Sequence, residues 1–200
     1  MKRILVVEDR PKHLQDARDF AGKLAGVETD FAVNLAEALA YLSEKKYDGV
    51  ISDVFFPKDV GGSADSFENA VALNIKLVEL GIHHVFNTAG NHHGREYHGF
   101  IWKTPKATHN NDNYHFLTLG MVIESYQKDL DTDSKQWQAA FRYILMVLSF
   151  LELADKGTEV IKKNNIRGFP YGDYGGLTKS FNELAAKESV VSEIFTRYNA

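Results

Sequence analysis

No cysteine occurs among the 200 residues. Disulfides, thiolate metal sites and cysteine nucleophiles are therefore excluded. A long hydrophobic run is also missing. The most apolar segment, Phe141 to Leu153, contains Arg142 and Glu152 and falls short of the roughly 18–20 residues of a membrane span. It reads as a buried helix. At the N-terminus, Met1-Lys2-Arg3 is followed by only four apolar residues before Glu8-Asp9, too few for a signal peptide. A cytoplasmic protein with no membrane contact is the expectation. Surplus positive charge is lacking as well. The net charge of −4 argues against a broad nucleic-acid-binding surface. Residues 131–200 hold nine basic and nine acidic residues, with no helix-turn-helix pattern and no basic recognition helix, so no DNA binding is expected. There is no internal repeat and no low-complexity tract.

What is present is ordinary apolar content, 44%, enough to fill a real core. The length suits one domain, or one domain with a substantial extension. Residues 3–8 read as a buried strand. Residues 11–25 read as a helix with Pro11 in its first turn and Leu14, Ala17, Phe20 and Leu24 at helical spacing. A strand over 27–33, a helix over 35–45 and a strand over 47–52 follow. Short strands alternating with helices indicate βαβ units and a parallel sheet. After a polar loop over 58–66, the pattern predicts a helix over 67–80 stopped near Gly81, then a strand over 84–87. A fifth strand is expected at 99–102 and a helix at about 113–130. A long apolar helix over 134–156, with Ser134 as its cap, a glycine-bearing loop over 164–176 and a final helix over 177–198 complete the reading. Phe141, Ile144, Leu145, Leu148 and Leu151 recur at helical spacing and read as core, with a homodimer face as the alternative.

The strand ends carry the chemistry. Ile4-Leu5-Val6-Val7 runs into Glu8-Asp9, Gly49-Val50-Ile51-Ser52 into Asp53, His84-Val85-Phe86-Asn87 into Thr88, and Gly99-Phe100-Ile101-Trp102 into Lys103. Ligands of an open parallel sheet sit outside the carboxyl ends of its strands. Three carboxylates there could hold a hard divalent cation. Cation, hydroxyl and ammonium together could hold a phosphoryl group.

With these segments the chain resembles the receiver domain of two-component response regulators over roughly residues 1–130. The matching text is Ile4 to Asp9, Asp48 to Pro57, Asn87-Thr88-Ala89 and Phe100 to Lys103, in that order. The resemblance implies a flavodoxin-like, doubly wound, five-stranded parallel sheet of order 2-1-3-4-5, with residues 131–200 as a helical C-terminal extension. It also implies a phosphorelay role in signal transduction. Asp53 would be the phosphoacceptor, taking a phosphoryl group from a histidine kinase or phosphotransfer protein. Glu8, Asp9 and Asp53 would hold Mg²⁺. Lys103 would pair with a phosphoryl oxygen, Thr88 would bond another, and Phe100 would switch rotamer with Thr88. Output would go to a downstream protein. The alternative is a degenerate receiver acting as a phosphorylation-independent binding module. No enzyme activity is expected beyond the receiver's own phosphorylation and dephosphorylation. A haloacid-dehalogenase-type phosphatase would need a second acid two residues after its nucleophile, and position 55 is phenylalanine.

The pattern breaks in two places. Thr104 separates Lys103 from Pro105, where receivers place proline directly after the lysine. Only fourteen residues separate Thr88 from Lys103, and they include three glycines, so the fourth helix is expected to be shortened or lost. The C-terminal helices would then cover the sheet. The histidines at 92, 93, 98 and 109 read as part of a solvated polar loop, because no spacing places two of them on one helical face as zinc or nickel ligands.

Overall fold

The computed structural model describes residues 1–62, 66–88, 120–124, 132–152, 171–173 and 182–198. Its first half follows the βα rhythm of the sequence. The elements are β1 (Lys2–Val7), α1 (Pro11–Ala21), β2 (Val27–Ala32), α2 (Leu35–Glu44), β3 (Gly49–Asp53), α3 (Phe67–Leu80) and β4 (His83–Thr88). Then come β5 (Gly120–Glu124), α4 (Thr132–Glu152), β6 (Tyr171–Asp173) and α5 (Ser189–Tyr198), the last preceded by a helical stretch at 182–187.

Local chemistry explains the boundaries. Pro11 opens α1, where its missing N–H costs nothing. Asn34 caps α2 by accepting the Glu37 N–H at 2.8 Å, and the Glu37 carboxylate returns to the Val33 N–H at 2.9 Å. Gly81 ends α3 at φ +69°, a left-handed turn that favours glycine.

All six strands are parallel, in the order β2-β1-β3-β4-β5-β6. The first five give 2-1-3-4-5, the flavodoxin-like doubly wound order, and β6 extends the sheet beyond it. The helices cover both faces. On one face Ile4, Val6, Ile51 and Val85 pack with Phe20 of α1, Phe141 and Ile144 of α4, and Val191 of α5. On the other, Leu5, Val7, Val50 and Phe86 pack with Leu42 of α2 and Leu73 and Leu77 of α3. Phe20 and Phe141 meet at 5.6 Å between ring centroids. α4 approaches Gly49 closely: a Cβ there would stand 2.5 Å from Ile144 Cδ1, so a larger residue would require the Ile144 side chain to shift. Lys2 ties the start of β1 to the end of α4 through an ion pair with Glu152 at 2.6 Å.

Several expectations change. The stretch expected as helix from about 113 to 130 contains β5, a strand at 120–124. Its register matches Thr88 with Glu124, and this strand occupies the place beside β4. The expected strand at 99–102 and the shortened fourth helix lie outside the described residues. The expected loop over 164–176 contains β6. Ser134 falls inside α4 instead of capping it, since the helix begins at Thr132. The expected helix over 177–198 is broken at Glu188. The apolar stripe of Phe141, Ile144, Leu145 and Leu148 is buried within the chain itself, as the core reading required.

Candidate functional site

The carboxyl ends of β1, β3 and β4 lie side by side, so the sheet order alone brings the first three strand-end acids and Thr88 to one edge. Glu8 follows β1 directly. Its backbone N–H donates to Ala32 O of β2 at 3.0 Å, which holds the chain in line past the last strand residue. Its side chain is buried, at 2% exposure. Oε1 accepts the Arg10 N–H at 3.0 Å, and Oε2 lies 3.6 Å from His13 Nδ1 on α1. Asp53 is the last residue of β3 and half-buried. Its Oδ1 accepts the Val54 N–H at 2.6 Å.

Glu8, Asp9 and Asp53 each present a carboxylate oxygen, and these oxygens lie within 4.8 Å of one another. Like charges at that distance in a partly desolvated site disfavour ionisation. Burial, and next the Glu8 carboxylate, push Asp53 up to about 7, while the Val54 N–H and Arg10 pull the other way. The donor set is all oxygen and anionic, the chemistry that suits a hard divalent cation such as Mg²⁺. A cation there would offset the repulsion that raises Asp53.

Thr88 ends β4 and is 3% exposed. Lys103 and Phe100 lie outside the described residues. Of the residues expected to form the site, the fold therefore brings together Glu8, Asp9 and Asp53, with Thr88 at the end of the neighbouring strand.

Two further residues were not singled out from the sequence. His13 reaches Glu8 because Pro11 starts α1 immediately beside the acids, and its place in the first turn was legible. Asn87 is a polar residue within an otherwise apolar strand, and it pairs in register with Asp53. Its side chain is 5% exposed, and neither amide atom has a hydrogen-bond partner among the described residues. Phe55, where a phosphatase of the type considered above would carry its second acid, instead lies 6.2 Å from the ring of Phe67.

No helix among the described residues is long and apolar enough to cross a membrane. No protein-family model matches the chain, and no curated protein matches it either. Solved structures do. The chain is similar to the chemotaxis response regulator CheY4 of Vibrio cholerae, at 19% identity and a TM-score of 0.46, over 72% of this chain and 98% of that one. It is similar to the response regulator TrrA of Thermotoga maritima in complex with Mg²⁺-BeF, at 22% identity and a TM-score of 0.44, over 72% and 99% of the two chains. The Mn²⁺-bound form of the response regulator Rcp1 matches at 16% identity and a TM-score of 0.47, over 69% and 90%. Three others are matched over 68%, 66% and 65% of their own lengths. The solved structures to which this chain is similar are consistently response-regulator receiver domains of the CheY-like kind.

Proposed function

We propose that this chain is a phosphoacceptor response regulator, and that Asp53 receives a phosphoryl group from a histidine kinase or phosphotransfer protein. One observation carries the reading: Glu8, Asp9 and Asp53 converge to within 4.8 Å at the carboxyl edge of a parallel sheet, with Thr88 ending the next strand. Oδ1 of Asp53 is held by the Val54 N–H, which orients the carboxylate and leaves the other oxygen as nucleophile. That oxygen attacks phosphorus as the bond from phosphorus to the donor's imidazole nitrogen breaks. The imidazole leaves, and the product is an aspartyl phosphate. Glu8, Asp9 and Asp53 would hold Mg²⁺, which when bound offsets the negative charge of the carboxylates and the phosphoryl group. The Thr88 hydroxyl donates to a phosphoryl oxygen, and Lys103 pairs with another as a point charge. Phe100 turns with Thr88, so the local charge change moves a segment that a downstream protein reads. The output is protein–protein interaction in the cytoplasm, and turnover is limited to the chain's own phosphate.

The test is intact-mass analysis after incubation with Mg²⁺ and acetyl phosphate or phosphoramidate. A gain of one phosphoryl group in the native protein, absent in Asp53→Asn and absent without Mg²⁺, is the expected result. A second reading, the binding module that is never phosphorylated, has its own observation. The strand paired with β4 runs over Gly120–Glu124 and carries no lysine, whereas the receiver pattern ends that strand in one. An unchanged mass with small donors and with a panel of phosphorylated histidine kinases would decide for that module.

A further inference from the structure

We propose that Asn87 is a positioning residue of the Asp53 site, with its side-chain amide set to bond an oxygen that Asp53 carries only after modification. The inference rests on the phosphoacceptor reading and adds a residue that the reading does not use. Both Nδ2 and Oδ1 of Asn87 are buried and have no partner among the described residues. A buried polar group whose hydrogen bonds are left unmade lowers stability. Native chains bury few of them, and each calls for a physical reason.

Other buried amides among the described residues are satisfied. Asn69 Nδ2 donates to Phe56 O at 2.8 Å, and Asn74 Nδ2 sits 2.9 Å from His84 Nε2. Asn87 differs from them in where it stands. It is the register partner of Asp53 across adjacent parallel strands, which run about 4.7–4.9 Å apart. Paired residues project to the same face, here the face of Ile51 and Val85. Glu8 continues the register Val6↔Ile51 and Val7↔Ser52 on the far side of β3. Glu8, Asp53 and Asn87 therefore form one row over three adjacent strands, with Asp53 between an acid and an amide. An apolar residue of similar size at position 87 would avoid the cost of the unmade bonds. An amide provides what an apolar side chain cannot, an N–H donor beside Asp53 that carries no charge to compete for the cation.

The experiment uses the full chain and the probe Mg²⁺ with beryllofluoride, read by thermal melting and by calorimetric titration. Asn87→Leu removes both unmet groups at nearly constant shape. The expected result is a split: melting of the probe-free variant at or above the native temperature, and probe affinity about tenfold weaker. A probe-induced shift equal in variant and native protein overturns the role of Asn87 and leaves the reading of Asp53 standing. A native protein that shows no shift overturns the reading of Asp53, and Asn87 with it. Should leucine fail to pack, Asn87→Ser and Asn87→Ala decide. Serine keeps a donor, so tighter probe binding by the serine variant supports the proposal, and equal binding overturns it.

Discussion

His84 and Asn87 stand three residues apart on β4, and the fold treats them in opposite ways. His84, near the amino end of the strand, is buried yet fully matched. Its Nδ1 lies 2.9 Å from Ile82 O, its Nε2 lies 2.9 Å from Asn74 Nδ2, and its ring meets Phe86 edge-on at 5.5 Å. That arrangement suits a neutral ring with its hydrogen on Nδ1. Burial pushes His84 down to about 4. At the carboxyl end, Asn87 has unmet bonds and Asp53 is driven upward by burial and Glu8. One end of the sheet is closed by its own residues. The other holds an amide with no partner among the described residues beside a crowded set of carboxylates.

The sharpest way to break this contrast is at the closed end. His84→Ala should destabilise the protein by about 3 kcal/mol, because it opens a cavity and strips Asn74 of a buried partner. Urea unfolding measures it, and a loss under 1 kcal/mol would mean that the network contributes little.

Acid titration in EDTA sharpens the contrast, because the two ends carry opposite signs. Folding lowers His84 from 6.5 to about 4, so the unfolded chain binds more protons in that window and stability falls as pH falls. Folding raises Asp53 from 3.8 to about 7, so the folded chain binds more protons there and stability falls as pH rises. Between about pH 4.5 and 6.5 the two slopes offset one another in the native protein. Asp53→Asn removes one of them, and its stability should drop by about 2 kcal/mol on acidification across that window. Parallel profiles for variant and native protein would contradict the opposed titrations.

The smallest effect is at neutral pH. Without divalent cations, Asp53→Asn should be about 1 kcal/mol more stable than the native chain, since it relieves crowding among three carboxylates. Added Mg²⁺ should then raise the melting temperature of the native protein and do less for the variant. A variant that gains as much from Mg²⁺ as the native chain would place the cation away from Asp53.

How much of this was legible in the sequence depends on the kind of signal. Through residue 88 each strand and helix was placed to within a few positions, because caps, apolar periodicity and strand-end acids agreed. Pro11, Asn34 and Gly81 mark boundaries by chemistry that acts within a few residues. Beyond residue 88 that agreement fails. Met121-Val122-Ile123 is too short an apolar run for periodicity to separate strand from helix. Tyr171-Gly172-Asp173 carries a glycine that reads as a turn, and only the exposed edge of β5 gives it a strand to join. The carboxylate site was readable because acids after apolar runs keep their places whatever happens at the far edge of the sheet. Asn87 was missed because its meaning lies in register, a non-local property. The asparagine itself was visible as a polar interruption in the strand.

The seat of α4 has a consequence for the order of events during synthesis. Ile4, Val6, Ile51 and Val85 emerge from the ribosome well before Phe141 and Ile144, the residues that cover them. A nascent chain that has just completed β4 has one side of its sheet protected by α2 and α3. The other side has only α1 and presents an apolar surface to its surroundings. Chaperone contact on that side, and stalling or truncation before about residue 150, thus become the points at which production of this protein is most easily lost.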